Sequence, residues 1–215
     1  MSSFDAFFFD FDGTLGDTEP DIRHSWLSAI RELGLPEDNY DRIFRVGPPI
    51  QETAAMLFPE LSAERSIDLQ NSYKHFYDDA LCYQASPYPG VGEMLTALYQ
   101  SGKLIYVVTN KRYKPLYKLM EKFNFFRCCH GIFSPDIVDC ENHLKKPDLL
   151  KLAIRISGVS PEKALMVGDT ELDIAAGKAN NAGTCAVTWG YASRECLQQS
   201  KPDIIIDSPD ELLGF

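Results

Sequence analysis

Apolar residues fall along this chain in two rhythms. Five short runs are apolar without polar alternation: AFFFDF (6–11), LIYVVT (104–109), GIFS (131–134), ALMVGD (164–169) and TCAVTW (184–189). A further run, DIIID (203–207), fits an edge strand. Runs of this kind predict parallel strands covered on both faces. Between them apolar residues recur at helical spacing. Val91, Met94, Leu95 and Leu98 form one stripe, introduced by a YPG turn. Leu116, Leu119, Met120 and Phe123 form a second. Leu149, Leu152, Ala153 and Ile156 form a third, with Gly158 just past its end. Leu172, Ala175, Ala176 and Ala179 form a fourth. Alternating strand and helix predicts right-handed crossovers and a doubly wound, Rossmann-like α/β sheet.

One stretch breaks the alternation. Residues 16–86 contain no convincing strand. Pro20 suits the start of a helix, and Asp21 suits its first turn. Ile22, Trp26, Ala29, Ile30 and Leu33 make an apolar stripe that ends at Gly34. Further helices are expected over 49–57 and 62–82. The organisation expected is an α/β core of residues 1–15 and 87–215, with an inserted all-helical cap at 16–86. The alternative is that these helices pack directly on the sheet. The cap is preferred because the insertion leaves from a loop that carries two aspartates, Asp10 and Asp12.

Composition sharpens this picture. The 215 residues are 45% hydrophobic and 24% charged, as in an ordinary globular protein. The 21 basic against 31 acidic residues give a net charge of −10. Such a surface repels a phosphate backbone, so nucleic acid is not an expected partner. An anionic substrate would need local positive charge. The cysteines, at 82, 128, 129, 140, 185 and 196, form no C-x-x-C pair. They suit reduced, buried thiols in the cytoplasm better than a zinc site. The N-terminal FDAFFFDFDG is interrupted by carboxylates, so neither a signal peptide nor a membrane span is expected.

In an open parallel sheet, ligands bind outside the carboxyl ends of the strands. There stand Asp10, Asp12, Gly13 and Thr14 after the first strand, and Thr109 and Asn110 after the second. Asp169 and Asp173 follow the fourth, and Lys146 lies on a connecting segment of the same layer. Carboxylates converging on one point repel each other unless a cation joins them. Oxygen ligands without His or Cys favour Mg²⁺, which often engages substrate phosphate. Lys146 would add positive charge, and Thr109 and the Asn110 amide would donate hydrogen bonds to phosphoryl oxygens. Asp10 could attack phosphorus. Asp12 could protonate the leaving oxygen and then take a proton from water.

DFDGTL (10–15), VVTNK (107–111), KKPDLL (145–150) and VGDTELDIAAGKANNAG (167–183) resemble, in order, the four motifs of the haloacid dehalogenase superfamily. The closest likeness is to its phosphoglycolate-phosphatase-like branch. The resemblance implies the fold above and Asp10 as nucleophile, with Asp12 as acid/base. It implies Thr109 and Lys146 as phosphate binders and Asp169 as a metal ligand. It also implies that Mg²⁺ touches the Asp10 carboxylate and the Asp12 backbone carbonyl. Asp173 would orient metal-bound water or Lys146, or bind the metal itself. The insertion resembles the family's helical cap, which closes over the site and excludes water. Lys145 is a rival to Lys146, and the K-P-D-L-L context favours Lys146.

Asp12 separates the chain from the family's dehalogenases, which lack that acid. The related sugar phosphomutases carry a histidine where this chain has Ile22. The phosphonate-cleaving relatives use a cap lysine, and here the cap has none before Lys74. In the cap, RVGPP (45–49) is either a rigid helix connection or a substrate-contacting motif. Arg45 and Arg23 are candidates to meet a substrate carboxylate. The expected function is Mg²⁺-dependent hydrolysis of a small phosphomonoester such as 2-phosphoglycolate, by a monomer or homodimer. The alternatives are a nucleotidase or pyrophosphatase of the same superfamily, or a non-catalytic phosphate-binding regulator.

Overall fold

The computed structural model describes residues 4–38, 40–79, 84–138 and 144–215. Cys82 and Cys140 lie outside the described residues, as does the end of the helix expected to run to residue 82. The chain forms two compact units: residues 1–17 with 86–215, and residues 18–85.

The first unit holds strands β1 (Ala6–Phe9), β2 (Gly16–Asp17), β3 (Ser86–Pro87), β4 (Leu104–Val108), β5 (Gly131–Phe133), β6 (Ala164–Gly168), β7 (Gly183–Val187) and β8 (Ile204–Ile206). Among the described residues, six of these make one sheet in the order β5–β4–β1–β6–β7–β8. Every pairing in it is parallel. The run at 203–207 is indeed an edge strand. Phe7, Phe8 and Phe9 of β1 are fully buried. Phe7 and Phe9 stack on one face with ring centroids 6.2 Å apart. Phe8 stacks on Tyr106 of β4 at 5.3 Å on the other face. Each buried ring contributes about 1.5–3 kcal/mol, which explains why this strand tolerates no polar alternation. β2 and β3 pair with each other as a two-residue antiparallel ribbon, Gly16 opposite Pro87 and Asp17 opposite Ser86.

Helices of this unit include α5 (Val91–Gln100), α6 (Tyr113–Lys122), α7 (Pro135–Val138), α8 (Lys146–Ser157), α9 (Glu171–Ala179) and α10 (Arg194–Gln199). The stripes expected on α5 and α6 are the buried ones, with the exception of Phe123, which is partly exposed. Two others need correction. α8 buries Leu149, Leu150, Ala153 and Ile154, whereas Ile156 is 59% exposed. α9 buries Asp173, Ile174, Ala176 and Gly177, leaving Ala175 and Ala179 exposed. A third correction concerns Trp189. β7 ends at Val187, and Trp189 lies in the loop beyond it.

The second unit contains α1 (Glu19–Glu32), α2 (Tyr40–Ile43), α3 (Ile50–Leu57) and α4 (Ala63–Asp79). Its apolar cluster includes Ile22, Trp26, Ile30, Leu57, Leu69 and Tyr73. Trp26 stacks on Tyr73 with centroids 4.2 Å apart. Asp21 is buried and accepts hydrogen bonds from the amides of Gln84, at 3.1 Å, and Ala85, at 2.9 Å. It thereby ties the first turn of α1 to the end of the same unit. Cys128, Cys129, Cys185 and Cys196 are free thiols, and Cys196 is exposed rather than buried.

Candidate active site

The order of strands explains where the site forms. From β1 the chain goes outward to β4 and β5, then crosses back to β6 on the other side of β1. That reversal opens a crevice at the carboxyl end of β1, flanked by β4 and β6. Phe9 is level with Val107 on one side and Val167 on the other. Asp10 therefore emerges one residue before Thr109 and Asp169 on the neighbouring strands. Its amide donates to Val167 O at 2.9 Å, which fixes its height.

The loop after β1 is tightly wound. The amides of Leu15 and Gly16 both donate to Phe11 O, at 2.9 and 3.0 Å. Gly13 sits at φ 79°, and a Cβ there would collide with the Asp169 carboxylate. Gly190 approaches from the loop after β7, where a Cβ would strike Asp169 and the Gly13 carbonyl. Both glycines are needed for backbone to close around one buried acid.

Lys146 joins the carboxylates. Its Nζ lies 2.8 Å from Asp10 Oδ2 and 2.7 Å from Asp173 Oδ1, and all three side chains are buried. Burial opposes the Lys146 ammonium, but the adjacent Asp10 and Asp173 outweigh it and raise its pKa above the usual lysine value. Lys145, the rival, is exposed at the N-cap of α8. Asp173 Oδ2 accepts from the Thr170 amide at 3.1 Å and the Thr170 hydroxyl at 2.8 Å. The same carboxylate thus caps α9 and holds Lys146. Asp10 Oδ1 accepts from the Phe11 amide at 2.7 Å.

Asp169 is fully buried. It accepts from the Thr14 hydroxyl at 3.1 Å and the Tyr191 amide at 2.8 Å, both neutral donors. Burial, followed by the nearby Asp173 and Asp10, pushes its carboxyl well above the usual carboxylate range. Carboxylate oxygens of Asp10, Asp169 and Asp173 lie within 4.8 Å of one another. With Asp12 they make four carboxyl groups against two ammonium groups, those of Lys146 and Lys111. An all-oxygen donor set with that surplus of negative charge fits one hard divalent cation such as Mg²⁺.

Of the remaining expected residues, Thr109 is buried and its hydroxyl accepts from the Lys111 amide at 3.1 Å, leaving its proton to donate elsewhere. Asn110 follows it at the end of β4, partly exposed. Asp12 is partly exposed and paired with Lys111 at 2.7 Å. Arg23 and Arg45 belong to the helical unit. Arg23 pairs with Glu19 at 3.0 Å and with Asp41. Arg45 donates to the carbonyls of Phe44 at 2.6 Å and Arg42 at 3.2 Å. Lys111, Trp189 and Tyr191 were missed by sequence reasoning, and Thr14 was placed at the site without a role. Trp189 Nε1 donates to Thr14 O at 3.0 Å, and Tyr191 also reaches Asp17 with its hydroxyl at 3.2 Å. The signal for the first was its place in VVTNK, two residues past Thr109 at a strand end. The W-G-Y punctuation after β7 was the signal for the loop.

A cation bound there would compete with the proton that burial favours on the Asp169 carboxyl. For a raised carboxyl, the metal-free native state holds a proton that the unfolded chain has already lost. Its contribution to metal-free stability therefore falls as pH rises through the raised value. Mg²⁺ is expected to raise the melting temperature, and by more as pH is taken from about 5 to about 8. Calorimetry across that range checks this; a Mg²⁺ effect that shrinks with rising pH would contradict it.

Residues 7–187 match the family of haloacid dehalogenase-like hydrolases. The phosphoglycolate phosphatase of Aquifex aeolicus is 31% identical over 209 residues, covering 95% of this chain and 93% of its own. Pyrophosphatase PpaX of Halalkalibacterium halodurans is 32% identical over 211 residues, covering 96% and 94%. A haloacid dehalogenase-like hydrolase from Streptococcus pneumoniae has the same fold, with a TM-score of 0.87 at 26% identity over 100% of this chain and 99% of that one. The chain belongs to the haloacid dehalogenase-like hydrolase family. Within that family it is an enzyme of the phosphatase kind, a phosphoric monoester hydrolase.

Proposed function

We propose that the chain is a Mg²⁺-dependent phosphatase of small phosphomonoesters that works through an aspartyl-phosphate on Asp10, with 2-phosphoglycolate the leading substrate. The observation that carries this reading is the buried Asp10 carboxylate at the switch point, with Lys146 2.8 Å from Oδ2 and Asp169 beside it. Asp10 and Asp169 would hold Mg²⁺ through their carboxylates and Asp12 through its backbone carbonyl, with Asp173 behind Lys146. When bound, Mg²⁺ neutralises the carboxylates and the phosphoryl oxygens they face. Asp10 forms a bond to phosphorus as the ester P–O bond breaks, and the departing oxygen takes its proton from Asp12. Asp12 then accepts a proton from the water that attacks the acyl phosphate, which releases inorganic phosphate and restores Asp10. Lys146, the Thr109 hydroxyl and the Asn110 amide bind phosphoryl oxygens. The helical unit acts as a cap, and Arg23 and Arg45 read the rest of the substrate there.

The 32% identity to a pyrophosphatase supports a second reading, in which the substrate is pyrophosphate. A phosphate-release assay with Mg²⁺ on 2-phosphoglycolate, nucleoside monophosphates, pyrophosphate and hexose phosphates separates the two. The highest kcat/KM is expected with 2-phosphoglycolate. Preference for pyrophosphate would move the assignment to the second reading. Binding without turnover of any compound would overturn both and favour a phosphate-binding regulator.

A further inference from the structure

The site contains a second buried lysine that the reaction above does not use. Lys111 Nζ lies 2.7 Å from Asp12 Oδ1. The lysine side chain is 2% exposed and the aspartate side chain 14%, so the cation sits behind the acid. Lys111 is itself held. Its amide donates to Thr109 Oγ1 at 3.1 Å, and its carbonyl accepts from the buried Ser134 hydroxyl at 2.9 Å. Its Nζ also lies 5.9 Å from the centroid of Phe11, the ring between the two aspartates. Phe11 stacks in turn on Phe123 at 6.0 Å.

A buried ion pair is a poor source of stability, because desolvation offsets most of the attraction. The geometry points to a different use. We infer that Lys111 is a positioning residue that fixes the Asp12 carboxyl for proton exchange with the leaving oxygen. By gripping Oδ1 it holds the carboxyl in one orientation. As Asp10 bonds to phosphorus, the ester P–O electron pair passes to the departing oxygen, which takes the proton the Asp12 carboxyl carries in that step; the carboxyl regains one from the water that then cleaves the acyl phosphate. Each aspartate of the D-x-D pair thus has a lysine from another segment: Lys146 beside Asp10 and Lys111 beside Asp12. This inference rests on the reading of Asp12 as acid and base.

The test compares two leaving groups by kcat/KM, which reports the first phosphoryl transfer. 4-Nitrophenol departs as an anion without protonation, whereas the alcohol of an alkyl phosphate needs a proton. Lys111→Met is expected to lower kcat/KM for the alkyl ester about 10²-fold and for the aryl ester far less. Lys111→Arg should recover part of the loss. Asp12→Asn should show the same leaving-group dependence, and adding Lys111→Met to it should cost little more. Equal losses on both esters, arising in KM, would overturn the inference and make Lys111 a phosphate-binding group. An Asp12→Asn enzyme without leaving-group dependence would instead overturn the acid/base reading, and this inference with it. Melting curves accompany each variant. Should Lys111→Met lose its folding transition, Lys111→Gln, which keeps a donor without the charge, carries the same comparison.

Discussion

Asp10→Asn is expected to abolish phosphate release while leaving the protein folded. An amide does not attack phosphorus, and loss of a nucleophile in a hydrolase costs on the order of 10⁴ to 10⁶ in turnover. The fold should survive because the change is nearly isosteric. The amide oxygen can still accept from the Phe11 amide, a bond of 2.7 Å in the native protein. Lys146 keeps Asp173 at 2.7 Å, so its charge stays paired. Removing a negative charge beside the buried Asp169 also relieves repulsion. Inorganic phosphate release and a thermal melt measure the two halves of this expectation. An Asp10→Asn enzyme that retained full, metal-stimulated turnover would end the covalent mechanism.

Lys146→Met should have the largest effect on stability. It strands two buried carboxylates, Asp10 and Asp173, without the ammonium that lies within 2.8 Å of both. Breaking a buried pair from one side typically costs about 3–5 kcal/mol. The pH dependence follows from the direction of the shift. Lys146 is raised from an ordinary 10.5, so its stabilisation is complete below that value and lost only as pH rises through the folded value. In the variant, the stranded Asp173 carboxyl, already pushed up by burial, is relieved when it takes up a proton. The gap in urea midpoint between native protein and variant should therefore be widest at neutral to mildly alkaline pH and narrow toward acid. Activity should fall with it. A variant as stable as the native chain above neutral pH would show that the three groups are not energetically linked.

The fold was legible because its strands are buried on both faces and carry unbroken apolar runs. Phe7, Phe8 and Phe9 are the clearest case. One error falls where a buried face contains something other than hydrocarbon. On α9 the inward positions are Asp173, Ile174, Ala176 and Gly177, and an apolar stripe cannot be drawn through an aspartate and a glycine. On α8 the helix turns slightly from the expected stripe, burying Ile154 and exposing Ile156, because apolar residues occur on both sides of it. The site aspartates could be found because each follows a strand. Lys111 could not be given a partner, since Asp12 lies on the loop of a neighbouring strand and register is a property of the sheet. The Trp189–Tyr191 loop was hidden by reading β7 two residues too far.

The ribbon of β2 and β3 has a consequence for how such a chain can change. Gly16 faces Pro87 and Asp17 faces Ser86, so the polypeptide departs and returns at one point. Within the helical unit Asp21 makes a matching clasp, holding Gln84 and Ala85. To the sheet, residues 18–85 are a loop whose ends already meet. Doubling the length of such a loop costs only about 0.6 kcal/mol in closure entropy. The junction is a socket: a segment of another size or composition can be plugged into it while β1 and Asp10 stay anchored in the sheet. The core and the segment inserted into it are free to evolve on separate clocks.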